Sequence, residues 1–232
     1  MTVLISGGSR GIGKAIAGAF VAQGAKVVLL ATSELNLVDA KKELLSRYPN
    51  ANIKTLVADL SSKEACFSAT KALASLEVID VIVNNAGTFV PGSILEEKEG
   101  TLEHLIETNL YSAYYLTRGL INKVKKSSKG HIFNMCSVAS IMPYENGGSY
   151  SISKYALLGF SKCLREELKS SDIKVSSIMP GATYTDSWKE SGISEERFMK
   201  ADDLANLIVQ TYALSKSTVV EELIIRPILG DI

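Results

Sequence analysis

The chain has 232 residues, 25 Lys+Arg against 25 Asp+Glu, and 46% hydrophobic residues. Its mean hydropathy is +0.14. This excludes a disordered chain and leaves no charge surplus for nucleic acid or an anionic membrane, so neither is expected as a partner.

The longest unbroken apolar runs, such as Val27 to Ala31, fall far short of the roughly 18 residues of a membrane span. Met1 is followed at once by Thr2-Val3-Leu4-Ile5, without a basic or long apolar leader. That predicts no secretory signal and a cytoplasmic location. Cys66, Cys136 and Cys163 are odd in number and widely spaced, and they read as reduced thiols. No Cys/His spacing suggests a metal.

The first strand is predicted at Val3–Ile5. It runs into Ser6-Gly7-Gly8-Ser9-Arg10-Gly11-Ile12-Gly13, which opens a helix over 11–23. Glycines at 7, 11 and 13 suit a backbone that turns sharply and comes close to a pyrophosphate. The helix N-terminus then offers free N–H groups to the anion. By spacing alone the run also reads as an ordinary glycine-rich turn. A second strand, Lys26–Leu30, ends in Ala31-Thr32-Ser33. An acid at such a point would hold an adenosine ribose 2′-hydroxyl and repel a 2′-phosphate. Glu34 reads either as that acid or as a first-turn residue of a helix over 34–47, capped by Thr32 or Ser33.

Strand Ile53–Ala58 leads to Asp59-Leu60 and a helix near 62–75. Strand Val78–Val83 leads to Asn84-Asn85-Ala86-Gly87, a tight turn by composition. A helix over 101–126 carries Asn109. Strand His131–Cys136 delivers Ser137, which by itself reads as a turn or cap residue. A helix over 150–170 begins with Tyr150. Strand Ile173–Met179 leads to Pro180-Gly181 and a polar segment, 182–200, read as a mobile flap over substrate. A helix over 201–214 and strand Leu223–Ile225 complete the pattern. The β-α alternation predicts a single α/β domain over 1–232. Its architecture is a Rossmann-type, doubly wound parallel sheet with helices on both faces. No linker or internal repeat divides the chain.

Lys154 lies one helical turn after Tyr150, on the same face. Reducing a carbonyl requires a hydride on carbon and a proton on oxygen, and a free tyrosine titrates at about 10. A lysine cation at about 4 Å, with an effective dielectric of about 20, contributes roughly 4 kcal/mol toward the phenolate. That is about three pKa units before desolvation subtracts from it. Tyr150 can then act as acid in reduction and base in oxidation. The Ser137 hydroxyl can hold the substrate oxygen beside it. His104 and His131 lack carboxylate or cysteine partners and read as structural. Cys136 and the tyrosines 111, 114 and 115 read as packing. Met142, Tyr144, Tyr184 and Trp188 read equally as pocket lining or as packing.

Together, the glycine turn, Asn84-Asn85-Ala86-Gly87, Ser137, Tyr150-Ser151-Ile152-Ser153-Lys154 and Pro180-Gly181 resemble the classical short-chain dehydrogenase/reductase family. The match runs to about residue 185, and the tail after Arg226 departs from the glycine-rich ending of many members. The resemblance implies a catalytic set of Asn109, Ser137, Tyr150 and Lys154, with Asn109 holding a water that relays protons to the lysine. It implies that Gly7, Ser9, Arg10, Gly11, Ile12 and Gly13 hold the diphosphate end of a cofactor. Thr32, Asp59 and Leu60 would border the adenosine, and Asn85, Ala86 and Gly87 a ribose. Tyr150, Lys154, Pro180, Gly181, Thr183 and Thr185 would contact the nicotinamide half. Arg10 before Gly11, and Thr32 as in similar 3-oxoacyl-carrier-protein reductases, imply NADP(H), with NAD(H) as the second choice.

The expected function is NADP(H)-dependent interconversion of a small-molecule carbonyl and a secondary alcohol. Two alternatives stay open: an oxidative hydroxy-acid or sugar-alcohol dehydrogenase, and a non-catalytic NADP(H)-sensing protein. Family resemblance further implies a homodimer or homotetramer built on the helices near 101–126 and 150–170.

Overall fold

The computed structural model describes residues 1–189 and 191–232. Glu190, inside the expected flap, lies outside the described residues. Among the described residues seven strands form one parallel sheet. They are β1 Thr2–Ser6, β2 Lys26–Ala31, β3 Ile53–Val57, β4 Val81–Asn84, β5 His131–Met135, β6 Lys174–Pro180 and β7 Glu222–Ile225. Their order is β3-β2-β1-β4-β5-β6-β7. The helices are α1 Gly11–Ala22, α2 Glu34–Arg47, α3 Lys63–Ala72, α4 Thr101–Ile106, α5 Ser112–Val124, α6 Gly148–Leu168 and α7 Ala201–Ala213. This is the Rossmann-type sheet the alternation predicts. No described helix is long and apolar enough to cross a membrane.

Successive strand residues point to opposite faces, so apolar neighbours serve two cores. Ile5 and Leu29 pack with Ile16, Phe20, Leu37 and Ile208 on one side. Leu4 and Val28 pack with Cys66, Ile82, Leu116 and Ile132 on the other. The edge strands β3 and β7 differ from the central ones. Both expose residues in part, because each has a neighbour on one side only.

Ser33 caps α2, accepting the Asn36 N–H at 3.3 Å, and Glu34 follows in the first turn. Of the two readings of Glu34, the structure shows the helical one. The single helix expected over 101–126 is instead interrupted. A π-helical turn, Glu107–Tyr111, separates α4 from α5. The wider turn holds Asn109 with 1% exposure, and such turns recur at functional sites. Tyr111, expected to pack, is 44% exposed.

His131 is fully buried on β5, stacked on Phe133 with ring centres 3.9 Å apart and paired with Ser176 Oγ at 2.8 Å. Burial, then the nearby Lys174 and Lys129 cations, push its pKa down from 6.5 to about 3. The folded state therefore keeps it neutral, whereas the unfolded chain protonates it below about pH 6.5. Its contribution is intact above that value and drains as pH falls toward 3. Between about pH 7 and pH 5 it should remove about 2 kcal/mol of stability. Urea unfolding checks this: the decline should be flatter in His131→Gln, and parallel curves would refute it.

Candidate active site

The sheet order reverses between β1 and β4, which opens a crevice beyond their C-terminal ends. Asn85 stitches its two sides together. Its Nδ2 donates to Ser6 O at 3.1 Å and to Gly7 O at 3.0 Å. The main-chain N–H groups of Asn85 and Ala86 both donate to Ser6 Oγ at 3.0 Å.

The glycine turn is shaped as a cradle. Gly7 and Gly11 have φ of +62° and +51°, the left-handed region that glycine enters without strain. A Cβ on Gly13 would fall 2.2 Å from Gly7 O and 2.6 Å from Asn85 Nδ2. The α1 N-terminus follows at once, with Arg10 extended, exposed and making no side-chain cap. Ser9 is buried, and Ile12 is half-buried against the core below. A Cβ on Gly11 would meet Thr185 Cγ2 at 3.1 Å, so the start of the 182–200 segment lies against the turn. Next to Thr185, the Asp186 carboxyl is held below its usual range, first by a hydrogen bond from Lys189 and also by Arg10 and Lys14.

Thr32 is exposed at the end of β2. Asp59 Oδ1 accepts the Ser61 N–H at 3.0 Å, an Asx turn ahead of α3. The Leu60 side chain is buried in the core under α3, so only its main chain is left to face an adenine. Pro180 ends β6, and Gly181 N–H donates to Ile225 O at 2.8 Å. Thr183 is buried and donates to Gly181 O at 3.1 Å.

Tyr150, Lys154 and Asn109 meet beyond β4 and β5, and Ser137 opens the short turn Val138–Ser140 that packs against α6. Lys154 Nζ, on a 7% exposed residue, donates to Met135 O at 2.8 Å and stands 5.8 Å from the centre of the Tyr150 ring. A Cβ on Gly87 would lie 2.9 Å from Asn109 Oδ1 and 3.6 Å from Lys154 Nζ, so this glycine leaves the room in which both side chains meet. Asn109 Oδ1 accepts the Thr88 N–H at 2.8 Å, while Nδ2 donates to Thr88 O at 3.0 Å and to Ser153 Oγ at 2.9 Å. Ser137 Oγ accepts the Ala139 N–H at 3.1 Å as the cap of a short 3-10 turn. Its own proton is left to donate. Tyr150 packs edge-on against Phe89, ring centres 4.8 Å apart. Tyr144 lies nearby with its pKa raised to about 12, first by burial and then by Tyr150 and Asp231, so it stays a neutral phenol. The site thus combines an anion cradle, a phenol beside an ammonium and a free hydroxyl.

A family model described as short chain dehydrogenase matches residues 1–196. The chain belongs to the short-chain dehydrogenase family. It is 32% identical to the sepiapterin reductase of Chlorobaculum tepidum over 238 residues, covering 99% of this chain and 97% of that protein. It is 36% identical to the 3-oxoacyl-acyl-carrier-protein reductase of Salmonella typhimurium over 184 residues, 79% of this chain and 73% of that one. The solved L-sorbose reductase of Gluconobacter frateurii, complexed with NADPH and L-sorbose, superposes with a TM-score of 0.88 at 26% identity. That match covers 97% of this chain and 94% of the other.

As a short-chain dehydrogenase, this chain holds parts that no motif announced. Ser153 and Thr88 anchor Asn109, and Phe89 backs Tyr150. Glu97 reaches the start of α6, with Gly92 and Gly147-Gly148 as the only sequence signal of a close approach. Arg197 donates to Gly230 O at 2.9 Å and Asp231 O at 3.1 Å, folding the tail back toward the 182–200 segment. Tyr184 and Trp188 pack on Phe198, with ring centres 5.7 and 5.0 Å away. Tyr144 instead lines a cavity of about 590 Å³, with Ile94, Pro143, Ile152 and Tyr155.

Proposed function

We propose that this short-chain dehydrogenase reduces a carbonyl to a secondary alcohol with NADPH, Tyr150 giving the proton. The Tyr150–Lys154 pair on α6, with Ser137 at the head of the short turn that packs against that helix, carries this reading. The cradle fits a dinucleotide diphosphate, because a Cβ on Gly13 would fill it and two of its glycines are left-handed. When bound, the cofactor supplies the hydride.

The chain's own groups do the rest. Ser137 donates its free proton to the substrate oxygen and holds it beside Tyr150. Tyr150 transfers its phenolic proton to that oxygen, and the Lys154 cation favours the negative charge left behind. Lys154 is fixed by Met135 O, so its charge stays aimed. The Asn109 side chain is engaged at both its polar atoms, and its Oδ1, which accepts one hydrogen bond, keeps a second acceptor site for a relay water.

NADPH rather than NADH is favoured by three observations. No carboxylate stands at Thr32, Glu34 belongs to α2, and Arg10 is exposed beside the cradle. Complexes of similar proteins with NADP or NADPH support it. Arg10→Ala should weaken NADPH binding by about tenfold, the loss of roughly one charge-assisted contact, and leave NADH nearly unchanged. Fluorescence titration with both cofactors measures this, and equal losses would move the 2′-phosphate site elsewhere. Turnover tests the function itself. NADPH oxidation over a panel of ketones, oxoacyl thioesters and ketoses should find at least one substrate, and oxidation of none of them would sink the reading.

A homodimer or homotetramer is proposed through the faces of α5 and α6, where Tyr114 packs on Phe160 with ring centres 5.7 Å apart and both stay half-buried. Sedimentation velocity checks it, and a monomer at micromolar concentration would exclude it.

A further inference from the structure

The helix that carries Tyr150 and Lys154 starts without a cap of its own. Gly147 occupies the cap position, no side chain of the helix bonds there, and its first turn contains no acid. Its first N–H groups therefore need a partner from elsewhere. Glu97 supplies one from the loop after β4. Its Oε1 accepts the Ser149 N–H at 2.8 Å, and its Oε2 accepts the Ser149 hydroxyl. A carboxylate at a helix N-terminus is also favoured by the helix dipole.

The surroundings are shaped for this carboxylate. A Cβ on Gly148 would fall 2.1 Å from Glu97 Oε1, and one on Gly92 would fall 2.8 Å from Glu97 Cγ. Gly92 N–H donates to Asn146 O at 2.9 Å, and Gly92 pairs with Gly147 in an isolated parallel bridge. Two glycines and a main-chain bridge thus bring the loop against the helix start. Glu96, Lys98 and Glu99 around it are exposed, whereas Glu97 is half-buried.

The start of the loop held this way borders the catalytic residues. Thr88 is fixed by Asn109, and Phe89 forms one wall of the Tyr150 ring. Ser93 and Ile94 line the cavity shared with Tyr144 and Ile152. We propose that Glu97 is a positioning residue: its carboxylate locks the 88–97 loop to the first turn of α6, so that Tyr150 and the Phe89 ring packed on it keep one register. The proposal deepens the reductase reading and rests on Tyr150 being the proton donor.

Misplacing an acid by an ångström costs rate far more than it costs remote binding. In Glu97→Ala, kcat should fall at least about tenfold while the NADPH Kd stays within about twofold. Glu97→Gln keeps an acceptor for the N–H and a donor for the Ser149 hydroxyl, so it should restore kcat to within about threefold. Gly148→Ala retains the carboxylate but displaces it. It should reproduce the Glu97→Ala loss, and the double variant should add little to either single one. A purely structural cap would lower the unfolding temperature and leave kcat of the folded protein intact. That result, or a Gln variant as slow as Ala, overturns the positioning role. In both cases wild-type turnover and a dead Tyr150→Phe leave the reductase reading standing. A wild type inert with all carbonyls, or a fully active Tyr150→Phe, overturns both.

Discussion

Tyr150→Phe should bind NADPH within a few-fold of wild type and lose about a thousandfold in kcat, the usual worth of a positioned acid. The ring itself is held by packing. Phe89 meets it edge-on at 4.8 Å, and a phenylalanine keeps that contact. Lys154 does not depend on the hydroxyl for its place, because it donates to Met135 O at 2.8 Å. The substitution therefore removes one O–H group and little else. What remains is Ser137, which can hold a carbonyl oxygen but whose alcohol is a far weaker acid than a phenol. Steady-state rates and a fluorescence titration on the same preparation separate chemistry from binding. Unchanged turnover would remove Tyr150 from the mechanism.

Gly13→Ala should act on the other half of the site. Its Cβ would fall 2.2 Å from Gly7 O, 2.6 Å from Asn85 Nδ2 and 2.9 Å from Gly7 C. Two of these atoms are main chain, so the turn itself must move. Asn85 must release Ser6 O and Gly7 O, which it now bridges. Overpacking of this kind costs about 1–3 kcal/mol of stability. The displaced N–H groups should weaken cofactor binding by about a hundredfold. Gly159→Ala is the matched control. It lies within α6 with nothing of its own protomer inside 4 Å of an added Cβ, and in the monomer it should stabilise by about 0.5–1 kcal/mol. Thermal unfolding with and without NADPH reads both variants. A Gly13→Ala protein that NADPH stabilises as well as wild type would show that the cradle lies elsewhere.

Much of this architecture was legible because its causes are local. Runs such as Val27-Val28-Leu29-Leu30 must be covered on both faces, and the strands fell within a few residues of their predicted limits. Tyr150 and Lys154 were legible as a pair because helical spacing alone places them on one face. The two meanings of Glu34 were separated only by Ser33, whose cap bond commits the acid to α2. Asn109 had no local signal, since a π-helical turn follows no apolar period and its partners Thr88 and Ser153 lie far away in sequence. The burial of the Leu60 side chain had no signal of its own, because an apolar side chain beside a turn is drawn into the core whatever its main chain faces. Glu97 was silent for the same reason as Asn109. It reaches Ser149, 52 residues on, from a charged stretch that otherwise points to solvent.

The most direct measurement uses NADPH deuterated at the nicotinamide C4 with a carbonyl the protein accepts. Mass spectrometry of the alcohol should find the deuterium on the carbinol carbon in wild type and almost none formed by Tyr150→Phe. Tight NADPH binding without label transfer to any carbonyl would contradict the account and make the protein a holder of the cofactor.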